Sequence, residues 1–232
     1  MSAPASHRHF HNELADLKAK LLTLSGEAEA ALAASVQALL ERDAAKAAKV
    51  IAGDGTLNDL ENEVEDAVVQ LLATQQPMAR DLRLLMAALK IANDLERVGD
   101  HAVNIAQSVE RLSASRPITP EPELVEMARQ AGTMLADAME AFVRGDAAAG
   151  RAICRRDDQV DALHRSMFRI LLTHMAEDPH VIGVAIELLL VSRNLERVAD
   201  LATNIAEDVV FLVEGKNIKH HVEDRVRDDA KP

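Results

Sequence analysis

The chain has 232 residues, 48% of them hydrophobic, and a formal net charge of -12 with a pI near 5.2. That is enough apolar material for one or two cored domains, and the acidic balance excludes an electrostatic grip on nucleic acid, which needs clustered Lys and Arg. Four Phe with no Trp or Tyr leave a core of Leu, Ala, Val, Ile and Met in a sequence rich in helix formers, so the expected fold class is all-α.

In chain order, residues 1–9 are polar and carry no apolar signal core. His7, His9 and His11 alternate there, a pattern that reads as a terminal tract before it reads as a metal site. From about His11 to Leu40, Leu14, Leu17, Leu21, Leu24, Ala28, Ala31, Val36 and Leu39 recur at threes and fours with one longer step, which predicts a first helix. A second is predicted from about Asp43 to Gln75 on Val50, Leu57, Leu60, Val64, Val68 and Leu71. It contains Gly53-Asp54-Gly55, and each glycine costs about 1 kcal/mol in a helix interior, so a bend is expected there. Pro77 is expected to open a third helix, running to about Leu112, since a first-turn proline loses no hydrogen bond.

Residues 113–122 hold Pro117, Pro120 and Pro122 and form the clearest linker in the chain. Beyond it, Thr119 is the expected cap of a fourth helix that ends at Arg144 before Gly145. Asp146 caps a fifth helix, to about Met175, and Asp178-Pro179 opens a sixth that reaches Val213 and stops at Glu214-Gly215. Residues 215–232 are charged, lack periodicity and read as a tail. The longest apolar run, Val181 to Val191, includes Glu187 and falls well short of the roughly 20 residues a membrane helix needs, so a soluble, cytoplasmic protein is expected. Cys154 lies within a helical pattern, cannot form an intrachain disulfide, and reads as a small buried hydrophobe in a reducing compartment.

The second half repeats the first. Asp94-Leu-Glu-Arg-Val-Gly-Asp-His-Ala-Val-Asn-Ile-Ala106 returns as Asn194-Leu-Glu-Arg-Val-Ala-Asp-Leu-Ala-Thr-Asn-Ile-Ala206, with nine of thirteen positions identical. Asp43-Ala-Ala recurs at Asp146, and the stretch Asp54 to Leu60 at Asp157 to Leu163. The expected architecture is therefore two tandem antiparallel three-helix bundles, six long helices in all, over residues 10–112 and 123–214.

The repeat conserves an apolar set at helical spacing and also a polar row, Glu96, Asp100 and Asn104, matched by Glu196, Asp200 and Asn204. On the sixth predicted helix the seam from Val181 to Leu212 follows 3,4 spacing. At about 100° per residue it puts the polar row roughly opposite the core. The second and fifth predicted helices carry their own pairs, Asp54/Asn58 and Asp157/Asp161, four residues apart and so on one face. If each hairpin turns near 76–77 or 178, these pairs stand level with about 95–99 and 195–199. Each half would then gather four oxygen ligands. An exposed acidic pair is ordinarily just a solvated face, and Arg97 or Arg197 can offset part of the repulsion, but exposed ion pairs contribute only about 0–1 kcal/mol. A multivalent cation is the stronger neutraliser, and oxygen ligands favour Mg, Mn, Ca or Fe. His164, seven residues after Asp157, offers a nitrogen that brings in Zn; the first half has Glu61 there, and Asn58 in place of Asp161, so the second site is expected to bind metal more tightly.

The doubled signature on the third helix of each unit resembles the PhoU family, over residues from about 10 to 215. The resemblance implies metal binding through Glu96/Asp100 and Glu196/Asp200, with Asp157/Asp161 matching and Asp54/Asn58 matching in part, often as multinuclear iron or zinc clusters; together with the oxygen ligands this makes Fe, Zn, Mg or Mn the expected ions. It implies a cytoplasmic homodimer, peripheral to membrane complexes, that acts by contact and not by turnover. The implied partners are a phosphate-sensing histidine kinase and the ATPase subunit of the phosphate ABC transporter, and the implied role is repression of the phosphate-starvation response. Three other readings compete. A ferritin-like di-iron oxidase needs two inward Glu-x-x-His motifs, whereas Glu177-Asp-Pro-His180 stands alone across a helix start. A metal-dependent phosphohydrolase has only Asp100-His101 in its favour, with Leu201 in the second copy. The last is a helical scaffold with no metal role.

Overall fold

The computed structural model describes residues 5–113, 115 and 121–218, except for the side chains of residues 5–9. The described residues form eight α-helices and no strand: α1 (Ala5–Glu41), α2 (Ala44–Ala52), α3 (Asp54–Thr74), α4 (Arg80–Ser113), α5 (Pro122–Arg144), α6 (Ala147–Cys154), α7 (Asp157–Glu177) and α8 (Ile182–Glu214). No helix among them is long and apolar enough to cross a membrane. The side chains of His7 and His9, most of the expected linker and tail residues 219–232 lie outside the described residues; α5 has its N-cap at Glu121, with Pro122 in the first turn, and not at the expected Thr119. α1 starts at Ala5, well before His11, because the segment after Pro4 holds no helix breaker.

The expected second helix is two, α2 and α3, broken at Gly53, whose N–H reaches the carbonyls of Lys49 and Val50. The expected fifth helix is also two, broken at Arg155 and Arg156, where no glycine or proline stands. Gly53 and Arg156 are equivalent in the duplication, so the break belongs to the fold and not to glycine alone. It redirects the chain so that α2 and α6 can lie against the third helix of each half. α6 comes so close to α8 that a Cβ on Gly150 would stand 2.8 Å from the Ala206 carbonyl oxygen.

Caps mark most of the other boundaries as expected. The Asp43 carboxylate accepts from the backbone N–H of Ala45 and Lys46, and that of Asp146 from Ala149 at 2.9 Å. Gly145 and Gly215 close α5 and α8 in the left-handed conformation that glycine adopts without steric cost (φ 63° and 70°). The Asp178 side chain caps a single 3-10 turn, Pro179–Val181, that leads into α8. Pro77 does not open a helix. Ala79 takes a left-handed φ of 48°, which interrupts helical geometry, and α4 starts one residue later.

α4 and α8, the two signature helices, pack antiparallel on each other. The Arg83 side chain donates to the Leu212 carbonyl, Lys90 pairs with the buried Asp208 at 3.0 Å, His101 meets Asn194 at 2.9 Å, and Arg111 pairs with Glu187 at 2.7 Å. Paired residue numbers rise on one helix as they fall on the other. The two bundles are therefore related by a pseudo-two-fold axis perpendicular to this helix pair. The seam of α8 is buried from Val184 to Leu212, and α8 is buried on other sides too, at Ser192, Ala199, Leu201 and Val210. It touches α4, α5, α6 and α7.

Candidate metal centres

The phase of a heptad does not reveal a third neighbour, and here that matters. The polar row of α8 does not face open solvent: Glu196 and Asp200 are half-buried in the furrow between α8 and α7, and Asn204, one turn further on, is half-buried as well. Asp157, at the first turn of α7, faces them. Burial pushes its carboxyl up to about 6 from an ordinary 3.8, and the negative charges of Asp200, Asp161, Asp158 and Glu196 push it the same way. Glu196 is also raised, first by burial and then by Asp200, with Arg197 and His164 pulling down and Asp161 adding to the rise. Its buried Oε2 has no hydrogen-bond donor and faces Nε of Arg197 at 3.4 Å. All four residues expected for the second site, Asp157, Asp161, Glu196 and Asp200, are thus brought into one electrostatic neighbourhood.

In the first half the same furrow lies between α3 and α4. Glu96 is raised first by burial, then by Asp100, Glu61 and Asp54. Leu57 sits over Gly99, where an added Cβ would be 2.3 Å from its Cδ1, and the Asn93 amide donates to Glu61 at 3.3 Å. These contacts shift the register one to three residues from the expected one, because the connection spans residues 75–79 and does not turn sharply at 76–77. Glu61 thereby joins Glu96, Asp100 and Asp54. Asn58 is half-buried on the same side of α3, and its carbonyl accepts the Asn62 amide at 2.8 Å. The outer residues Asp100 and Asn104 are exposed, unlike Asp200 and Asn204.

The arginines inside the signature divide differently. Arg197 pairs with Asp200 at 2.8 Å, whereas its counterpart Arg97 faces Asp94 at 3.7 Å. Arg165 reaches Asp161 at 3.6 Å. The second cluster therefore has two guanidinium groups as internal counter-charges. Among the described residues, no three His, Cys, Asp or Glu side chains close on one point at metal-ligand distance. The carboxylates are neighbours across each helix pair, and those of Glu96, Glu196 and Asp157 hold their protons more tightly than usual, a donor set suited to an oxygen-seeking cation.

Two arrangements had no readable signal in the sequence. His164 Nδ1 lies 2.9 Å from Ser192 Oγ, whose own proton goes to the Leu189 carbonyl at 3.1 Å. The serine oxygen must then accept, so Nδ1 carries the ring proton and Nε2 keeps its lone pair. His101 Nδ1 donates to Asn194 Oδ1, and burial lowers the pKa of the imidazole. It ties α4 to α8 through the motif position that is Leu201 in the second copy. Asp158 joins the second cluster without a counterpart in the expected row. Cys154 is half-buried with its thiol pushed up to about 11 by burial, as a structural cysteine would be.

Comparison with known proteins gives a consistent result. Residues 21–109 and 124–209 each match the PhoU domain. A Clostridium acetobutylicum phosphate-specific transport system accessory protein PhoU homolog is 34% identical over 210 residues, covering 90% of this chain and 96% of that one. The corresponding Caulobacter vibrioides protein is 38% identical over 212 residues, covering 91% and 92%. The crystal structure of PhoU from Pseudomonas aeruginosa superposes with a TM-score of 0.85 at 34% identity, over 89% of this chain and all (100%) of that one. That of the phosphate transport system regulatory protein PhoU from Streptococcus pneumoniae gives 0.84 at 28% identity, over 90% and 99%.

Proposed function

The chain belongs to the PhoU family, and we propose that it is a metal-binding cytoplasmic regulator of phosphate uptake. In this reading it represses the phosphate-starvation response as a homodimer, by linking the ATPase subunit of the phosphate ABC transporter to a phosphate-sensing histidine kinase. It works by contact, not by catalysis. The observation that carries the reading is the duplicated furrow: in both halves a Glu-x-x-x-Asp pair on the third helix meets carboxylates from the preceding helix, and burial together with like charge raises Glu96, Glu196 and Asp157. Such clusters are costly without a cation, and a cation that neutralises them couples the relative position of two helices to metal occupancy.

The residues that would hold the ion in the second half are Asp157, Asp161, Glu196 and Asp200, with Nε2 of His164 as the nitrogen ligand. Glu96, Asp100, Asp54 and Glu61 would do so in the first, with Asn58 beside them. A bound Fe, Zn, Mn or Mg ion supplies charge neutralisation and a fixed geometry. Arg165 and Arg197 would have to leave Asp161 and Asp200 as the ion enters, a competition that weakens binding and makes the site responsive. The test is affinity capture of the full chain with the kinase and the transporter ATPase, with and without chelator. Association that chelation weakens is expected; failure of both partners to associate in either condition overturns the adaptor reading.

A further inference from the structure

Fourteen large apolar side chains are exposed among the described residues, and ten of them lie around the tips of two hairpins. On the α3–α4 hairpin they include Val69, Leu72, Leu82 and Met86; on the α7–α8 hairpin they are Phe168, Leu172, Ile182, Ile186 and Leu190. The duplication pairs Val69 with Leu172, Leu82 with Ile182 and Met86 with Ile186. The same surface is thus left uncovered twice. Single exposed apolar residues need no explanation, but a clustered patch repeated at equivalent places marks an interaction surface.

The two patches share an apolar character but differ in charge. Beside the first stand Glu65 and Asp66, both exposed. Beside the second, Phe168 replaces Glu65 and exposed Arg169 replaces Asp66, while exposed Arg193 replaces Asn93. None of Glu65, Asp66, Arg169 and Arg193 forms an ion pair among the described residues. One patch has an acidic margin on α3, with exposed Arg80 at its tip, and the other has a basic margin on α7 and α8, with exposed Glu177 at its tip.

Their placement allows them to meet in pairs. Because Arg83 contacts Leu212 and Arg111 contacts Glu187, the start of α4 and the start of α8 lie at opposite ends of the molecule. The pseudo-two-fold axis stands perpendicular to the α4/α8 pair, and α1 and α5, which touch across it, cover the inner faces of the α3–α4 and α7–α8 hairpins, so the outer faces that carry the patches share a side. A second copy turned over onto that side, about a two-fold axis that exchanges the patches, sets each acidic-margined patch on a basic-margined one. Both contacts form at once, and the assembly closes.

We propose that the α3–α4 hairpin tip of one copy docks on the α7–α8 hairpin tip of a second copy, and reciprocally. Glu65 and Asp66 then oppose Arg169 and Arg193 around a shared apolar centre. The surface rests on the homodimer included in the functional reading above, and assigns it a location and a sign pattern. It is independent of metal, since neither patch includes a candidate ligand.

Charge exchange tests it. Full-length protein, R169E/R193E, E65R/D66R and an equimolar mixture of the two variants are compared by sedimentation velocity at low micromolar concentration, with circular dichroism to confirm folding. The chain weighs 25.2 kDa. The expected result is a dimer for the unaltered protein, at least a tenfold weaker dimer for each variant alone, and restored dimer in the mixture, where every acidic margin again meets a basic one. A dimer unaffected by either variant places the interface elsewhere and overturns the surface while leaving the homodimer standing. A monomeric unaltered protein overturns both. A mixture that stays monomeric overturns the reciprocal pairing.

Discussion

Removing the charge of Asp157 should make the metal-free protein more stable. The folded-state pKa of this carboxyl is about 6 against an ordinary 3.8, a rise of about two units, and each unit is worth about 1.36 kcal/mol. The full figure of about 3 kcal/mol applies to a wholly buried group. Asp157 is only half-buried, and solvent screening reduces the cost to about 1 kcal/mol. A carboxyl whose pKa is raised by folding binds its proton more tightly in the folded state, so ionisation opposes folding. The penalty is absent below about pH 3.8, grows between there and about 6, and is complete above that. Chelator-stripped Asp157→Asn should therefore exceed the unaltered protein by about 1 kcal/mol at pH 7.5, or about 2–4 °C in Tm for a chain of this size, and the gap should close towards pH 4. Added Mn or Zn should reverse the order. An ion at a hundredfold its Kd stabilises by about 2.7 kcal/mol, and the variant forgoes part of that. Urea titrations at pH 4, 5, 6 and 7.5 measure both effects. A variant less stable than the unaltered protein at pH 7.5 without metal, or a gap that does not change with pH, would refute the reasoning.

The two centres should differ. Asp161→Ala/Asp200→Ala should remove more bound metal than Asn58→Ala/Asp100→Ala by elemental analysis, because the second cluster has the carboxylate of Asp161 where the first has the amide of Asn58, and its Asp200 is more enclosed than Asp100; equal losses would sink the ranking. Ser192→Ala should weaken zinc binding about tenfold or more in a titration, since it releases the ring of His164, and unchanged affinity would remove that histidine from the site. Gly99→Ala should cost about 1–3 kcal/mol by driving a Cβ into Leu57, and Leu57→Val should recover most of it, because the second half carries the smaller Val160 and the larger Ala199 at the two equivalent positions. Additive losses in the double variant would show that the contact is not the cause.

Much of the fold is readable wherever local chemistry decides it. The aspartates at 43 and 146 cap because a short carboxylate reaches two or three residues on, Gly145 and Gly215 stop helices because only glycine enters the left-handed region freely, and the α8 seam is buried as its spacing demands. The furrow was readable for a related reason: four-residue spacing sets a face, and a hairpin sets a level. The rest depends on contacts between distant residues. Nothing local announces a break at Arg155–Arg156, which exists so that α6 can approach α8 at Gly150. Pro77 looks like a helix start until Ala79 is seen with positive φ. The antiparallel pairing of α4 and α8 rests on Lys90–Asp208 and Arg111–Glu187, pairs more than seventy residues apart whose equivalents, Leu190–Ser108 and Phe211–Ala87, carry no charge. That pairing also explains why His101 has no copy: the residue serves the contact between halves, not the furrow.

The central claim, that the duplicated furrows are metal centres, is tested most directly by the metal content of freshly purified protein beside a variant carrying Glu96→Gln, Asp100→Asn, Glu196→Gln and Asp200→Asn together. Bound Fe, Zn or Mn at one or more ions per chain in the unaltered protein, and near none in a variant that remains folded, is the expected result. Unaltered protein that holds no ion even after dialysis against these metals, or a variant that retains the same content, would contradict it.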